Sequence, residues 1–157
     1  LIPLIAGVAL AAAALIVPSQ AGGDPVDSVI VKGRKFFDSP ISLYQGRFYV
    51  EKDNALRYCI RQRETRHTYH GVSDTGKYRG AYQVDKPMAV GMGWIIQKEL
   101  RATGTPRKQA KRIGKKLRAN EINNWSIYYQ DMAFWLVWNH GAGKSHWEQT
   151  NYGGGCE

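Results

Sequence analysis

A helix that runs into a glycine-rich polar turn at mid-chain constrains this sequence most. In Cys59–Val84, CIRQRETRHTYHGVSDTGKYRGAYQV, helical periodicity occupies the first residues; a polar turn and a short extended run follow. Leu56, Ile60 and Glu64 stand four residues apart and share one helix face. Two of them are apolar, so Glu64 places a carboxylate on a core row where the helix stops. Partial burial and the negative end of the helix dipole both disfavour the ionised form, the direction a general acid near neutral pH requires. Arg61, Arg63 and Arg66 oppose this if they approach. For a lone Glu the plainer reading is a capping or salt-bridged surface residue; what lifts Glu64 is the company downstream.

That company is Asp74-Thr75-Gly76-Lys77-Tyr78-Arg79-Gly80-Ala81-Tyr82-Gln83. With Cys59 and Glu64 it resembles the transglycosylase-like domain of the resuscitation-promoting factor family, within the lysozyme-like superfamily. That pattern has a Cys shortly before the catalytic Glu, then an aromatic (here Tyr69), an Asn/Asp-Thr-Gly turn, and a Tyr-x-Gly-x-aliphatic/aromatic-Gln stretch. The resemblance covers roughly Asn54 to Cys156. There are two departures. Glu64-Thr65-Arg66-His67 stands where the family has Glu-Ser-Gly-Gly, so the turn backbone must differ. Cys59 lies five residues before Glu64 instead of beside it. The resemblance implies an α+β, mainly helical, lysozyme-like fold with a small β element around Lys77–Val84. It also implies a catalytic role for Glu64 and sugar contacts from Thr75 and Gln83. Tyr69, Tyr78, Tyr82, Trp138 and Asn139 are further candidates for holding the sugars.

The chain of 157 residues carries Lys+Arg 22 against Asp+Glu 13, a net charge of +9. One domain with a real core fits this length, with some chain to spare. A basic protein seeks polyanions, whether nucleic acid, anionic lipid or a cell wall bearing anionic polymers. Cys59 and Cys156 stand at the two ends of the domain. They are two separate thiols or, in an oxidising compartment, one disulfide closing a long loop; the resemblance implies the disulfide.

Residues 1–17 are apolar, and Pro18-Ser19-Gln20-Ala21 follows with a small-residue site for cleavage. Residues 1–21 therefore read as a signal peptide, with a retained membrane anchor as the rival, so that the only membrane contact would be through an uncleaved segment. Either places the domain outside the cytoplasm, secreted or wall-associated. Residues 22–53 read as a spacer partly packed on the domain, with Ser28–Val31 and Arg47–Val50 as short strands.

Beyond Val84, Pro87–Arg101, Pro106–Ala119 and Asn124–Asn139 read as helices. Trp94 belongs to the core or to a sugar platform, the core being the commoner fate. The second helix is basic (Arg107, Lys108, Lys111, Arg112, Lys115, Lys116, Arg118) around an apolar stripe of Ala110, Ile113 and Leu117. No aromatic interleaves with these charges in the sequence and no nucleic-acid motif accompanies them. The helix reads as a solvated face whose charge also suits an anionic wall, without nucleic acid as a partner. The stripe Trp125, Tyr128, Tyr129, Met132, Trp135 and Leu136 reads as core. Gly141-Ala142-Gly143-Lys144-Ser145 fails as a phosphate-binding loop, because Trp138 occupies the place of its first Gly. His67 and His70 lack a third ligand, so no metal or other cofactor is expected. Ser73 and Ser145 lack His-Asp partners.

The expectation is an enzyme of peptidoglycan glycan strands in which Glu64 protonates the oxygen between N-acetylmuramic acid and N-acetylglucosamine. A conventional glycosidase needs a second carboxylate. Asp74 is the acidic residue of the motif, but a turn Asp more often bonds backbone. One convincing acid suits a lytic transglycosylase, in which the muramic 6-hydroxyl attacks. The alternatives are a muramidase with a second carboxylate, a non-catalytic wall-binding module, and a nucleic-acid binder through the basic helix.

Overall fold

The computed structural model describes residues 29–31, 39–66, 68–139, 144–148 and 156. The expected leader at residues 1–21, much of the 22–38 region, His67 and the glycines at 141 and 143 lie outside these residues. The described fold is mainly helical. Its elements are α1 (Asn54–Thr65), α2 (Lys86–Ala102), α3 (Arg107–Arg118), α4 (Ile127–Asn139) and the short α5 (Lys144–Glu148). No described helix is long and apolar enough to cross a membrane.

Local chemistry sets the helix ends. The Asp85 side chain accepts from Met88 N at 2.9 Å and Pro87 occupies the first turn, so α2 begins where an orphan N–H has a partner and a missing one costs nothing. Pro106 takes the corresponding place before α3. At the end of α1, Arg66 adopts a left-handed conformation (φ 51°, ψ 45°) and returns its N–H to Gln62 O at 2.9 Å. A non-glycine residue there is uncommon. It carries the chain from helix to turn where the family pattern would have glycine.

α4 is the centre of the molecule. Every residue from Tyr129 to Trp138 is buried, so the helix is enclosed on all sides and not on one face only. Trp125, Met132, Phe134, Trp135 and Leu136 are each at most 1 % exposed. Tyr128 is the member of the expected core stripe that reaches the surface. α2 packs on both α3 and α4.

The small β element is present as bridges, not strands. Val72 pairs with Arg79 and Arg79 with Val84, both antiparallel. Arg79 and Val84 exchange both backbone hydrogen bonds, at 3.0 and 3.1 Å. Gly80 turns this ribbon with φ 78°, and a Cβ there would meet Gln130 Oε1 at 2.9 Å.

Two expectations are corrected upstream. Arg47–Val50 is no strand: Tyr49 N bonds back to Gly46 O and Asp53 N to Val50 O, so the chain turns and enters a 3-10 turn at Glu51–Asp53. Ser28 lies outside the described residues; of Val29–Val31, Ile30 alone forms a bridge, to Trp125. The described part of the spacer packs on the domain through a few residues, Val29, Ser42 and Tyr44, while Ile41 and Leu43 between them are exposed. Val29 and Ser42 are at most 1 % exposed, and Trp135 Nε1 donates to Ser42 Oγ at 3.0 Å. Cys59 and Cys156 form a disulfide across 97 residues, with Cα atoms 5.7 Å apart.

Candidate active site

The end of α1 and the turn after it face the β ribbon across an open groove of about 430 Å³. Arg63, Glu64, Thr65, Arg66 and Thr68 form one wall; Gly71–Asp74 and Gln83 form the other. The helix stops because Thr65 closes it: its hydroxyl donates to Arg61 O at 3.1 Å and Thr68 O at 2.8 Å, folding the chain back. Glu64 then sits at the last turn, with its side chain 26 % exposed. Arg63 holds one carboxylate oxygen, through Nη2 at 2.9 Å and Nε at 3.1 Å. The same Nη2 donates to Trp147 O at 2.7 Å, tying α5 to the groove wall.

Opposite Glu64, Gln83 stands at φ 47°, a left-handed position that a side chain rarely takes. The ribbon requires it, since Gln83 N and Nε2 both reach Gly80 O, at 3.2 and 3.0 Å. Asp74 shares the groove with Glu64 and is exposed. The structure thus brings Glu64, Asp74 and Gln83 together.

The other expected sugar contacts fall elsewhere. Tyr69 and Tyr82 are 1 % and 2 % exposed, so they are corrected from groove contacts to core residues. Trp138 is also buried, stacked on Phe134 with ring centroids 5.5 Å apart. Asn139 is exposed but donates to Phe48 O and does not line the groove. Thr75 lies beside the groove, where its hydroxyl bonds Ser73 Oγ at 3.2 Å and receives Lys77 N at 3.4 Å. Tyr78 is half-buried under Lys77, whose Nζ stands 5.0 Å from the ring centroid.

The buried tyrosines belong to a polar node behind the groove. Asp131 Oδ1 accepts from Tyr82 Oη at 2.6 Å, Tyr69 Oη at 2.8 Å and Arg57 Nη1 at 3.2 Å; its Oδ2 accepts from Leu43 N at 2.8 Å. Arg57 and Asp131 are both fully buried. Arg61 stacks its guanidinium 4.6 Å from the Tyr69 ring centroid and hydrogen-bonds the same hydroxyl. Gln130 joins the ribbon to α4: its Oε1 accepts from Ala81 N at 2.9 Å and its Nε2 donates to Tyr69 O at 3.1 Å. Burial, then the Asp131 charge, pushes both tyrosine hydroxyls above their ordinary pKa. For Arg57, burial opposes the charge, but Tyr82, Asp131 and Tyr69 outweigh it and the net direction is upward.

Sequence reasoning missed this node and the groove residues Thr68, Gly71 and Ser73, and took Arg63 only as a charge opposing Glu64. A signal for the node was available. Arg57 and Arg61 stand four apart on a helix whose face includes Ile60, and Gln130-Asp131 interrupts an otherwise apolar α4. Polar residues at core positions ask for one another. Among the described residues, no three His, Cys, Asp or Glu side chains stand together as a metal site. No protein-family model, curated protein or solved structure matches the chain.

Proposed function

We propose that this domain is a lysozyme-like enzyme that cuts the bond between N-acetylmuramic acid and N-acetylglucosamine in peptidoglycan, with Glu64 as its acid. The observation that carries this reading is the position of Glu64, half-buried at the last turn of α1 on the wall of an open groove. The groove is faced by a polar ribbon that presents Gln83 and backbone groups to a polar chain such as a glycan. The disulfide supports an oxidising, extracytoplasmic setting.

In the reaction, a protonated Glu64 gives its proton to the glycosidic oxygen as the C1–O bond breaks. The muramic 6-hydroxyl then bonds to C1 and returns its proton to Glu64, leaving a 1,6-anhydro end. Arg63 grips Oε1 of the carboxylate, so Oε2 is the oxygen through which Glu64 gives its proton. Because Asp74 lines the same groove, a second reading is favoured by observation: a muramidase in which Asp74 supplies the second carboxylate and water supplies the nucleophile.

Mass spectrometry of fragments released from purified peptidoglycan separates these readings, with wild type beside Glu64→Gln and Asp74→Asn. Anhydro-muropeptides from wild type and Asp74→Asn, with none from Glu64→Gln, are expected for the transglycosylase. Reducing ends that vanish in Asp74→Asn identify the muramidase. No release by wild type, with wall binding intact, overturns the enzyme and leaves a binding module.

A further inference from the structure

The helix pair α2–α3 packs antiparallel and very closely. A Cβ on Gly93 would come within 2.7 Å of Arg118 Cγ, and one on Gly114 within 2.5 Å of Gln97 Oε1. This closeness sets two rows of side chains beside each other. Trp94, Lys98 and Arg101 follow at helical spacing on α2, and all are exposed. Arg107, Lys111 and Lys115 are exposed on α3 and share their row with Arg118. Both helices together carry a single carboxylate, Glu99, which is 4 % exposed and gripped by Arg47 at 2.6 Å. The outer face of the pair therefore bears one sign of charge.

Folding does not ask for this arrangement. Ala110, Ile113 and Leu117 already dock α3, whereas Arg107, Lys108 and Lys111 crowd the positive end of its dipole, where cations cost stability and anions are welcome. Arg118 is also built differently from the lysines. Its guanidinium lies 3.4 Å from the Trp94 ring centroid, and its Nη1 donates to Gln97 Oε1 at 3.1 Å and Gly93 O at 3.4 Å. Stacked and hydrogen-bonded, the fork is held in place before any ligand arrives, which suits paired hydrogen bonds to a phosphate.

We infer that the α2–α3 face binds a phosphodiester-linked polyol polymer of the cell wall, with Arg118 on Trp94 as the phosphate anchor and Lys98, Arg101, Lys111 and Lys115 as the neutralising rows. Nucleic acid shares the repeating phosphodiester, but two observations favour the wall polymer. The disulfide suits the oxidising exterior where such polymers lie. Trp94 is the one aromatic residue of the two helices and already has Arg118 against its ring, so there is no track on which successive bases could stack. The choice of polymer rests on the extracytoplasmic reading above; binding itself does not require cleavage.

The test is calorimetric titration of the full chain with poly(glycerol phosphate) at several salt concentrations. An oligothymidylate of equal charge and vesicles of anionic lipid run beside it. Binding to poly(glycerol phosphate) that weakens with salt is expected, and Lys111→Gln with Lys115→Gln should lower the log–log salt slope by roughly 1–2. Arg118→Lys keeps the charge but loses the fork, and should weaken binding on the order of tenfold. Near-UV circular dichroism identical to wild type shows that each variant is folded. Unchanged affinity in Arg118→Lys overturns the anchor. Oligothymidylate bound as tightly as the polyol phosphate, or binding to vesicles alone, overturns the choice of partner. Glu64→Gln should bind like wild type. Muropeptide release without polymer binding defeats the surface and spares the groove, and polymer binding without release does the reverse.

Discussion

The stretch Cys59–Val84 contributes to two regions of opposite character that lie back to back. The Asp131 node is dry. One carboxylate receives two hydroxyls, a guanidinium and a backbone N–H, and its charged and polar members are buried together. The groove is wet: Glu64 and Arg63 form a partly exposed pair, beside two residues in left-handed backbone positions, Arg66 and Gln83. The node fixes the ribbon against α4 through Tyr69, Tyr82 and Gln130, so the groove wall can be polar and strained without collapsing. Strain gathers where the scaffold behind it over-determines the fold. The tyrosines that looked like ligand contacts are part of that scaffold.

Breaking the scaffold should cost far more stability than altering the groove. Replacing Cys59 and Cys156 with Ser should lose about 4–5 kcal/mol on the chain-entropy account, read by denaturant unfolding. Asp131→Ala leaves Arg57 buried without its carboxylate and should lose about 3–5 kcal/mol. Tyr82→Phe removes one hydrogen bond to that carboxylate and should lose roughly 1.5–3 kcal/mol.

Alkali probes the same contrast without mutation. Tyr69, Tyr82 and Tyr129 are all raised, Tyr129 to about 12 chiefly by burial. A raised acid favours its neutral form in the folded state. Its contribution is therefore complete below the ordinary tyrosine value of about 10 and is lost as pH climbs through the folded value. Of the nine tyrosines, the share of tyrosinate absorbance that belongs to Tyr69, Tyr82 and Tyr129 should appear only together with loss of near-UV circular dichroism, above about pH 10. Ionisation of all nine before unfolding would contradict the dry node. The smallest effects on stability belong to the groove. Glu64→Gln should change it by no more than about 1 kcal/mol, as for an exposed ion pair, while muropeptide release falls by about 10²–10⁴-fold. A destabilisation matching Asp131→Ala would make Glu64 structural.

Helices were legible in the sequence because their signals are local. Pro87 and Pro106 mark two starts within a residue of those observed; of the row Leu56, Ile60 and Glu64 only Ile60 is buried, because α1 turns Arg57 and Arg61 inward beside it. Partners distant in sequence were not legible. Tyr69 and Tyr82 look like exposed polar aromatics until Asp131, 62 and 49 residues away, is seen to accept from both. Trp94, open in the sequence between core and sugar platform, is 55 % exposed, because α2 turns Met92 and Ile96 inward instead. The helical spacing was correct; which face meets the core depends on α3 and α4. For the groove, Glu64 and Gln83 were found from the motif. Arg63, as their neighbour's ion partner, could be guessed to oppose Glu64 but not to tie it to Trp147.

The disulfide has a consequence outside folding energetics. It makes a covalent ring of the chain between Cys59 and Cys156, with the groove, the basic helix pair and all of the node except Arg57 and Leu43 inside it. A protease that clips one exposed turn of that ring, such as Thr103–Thr105 after α2, produces a nicked molecule with no detached fragment. The two pieces part only when a thiol reductant is added. In surroundings rich in proteases, such a chain survives its first cut.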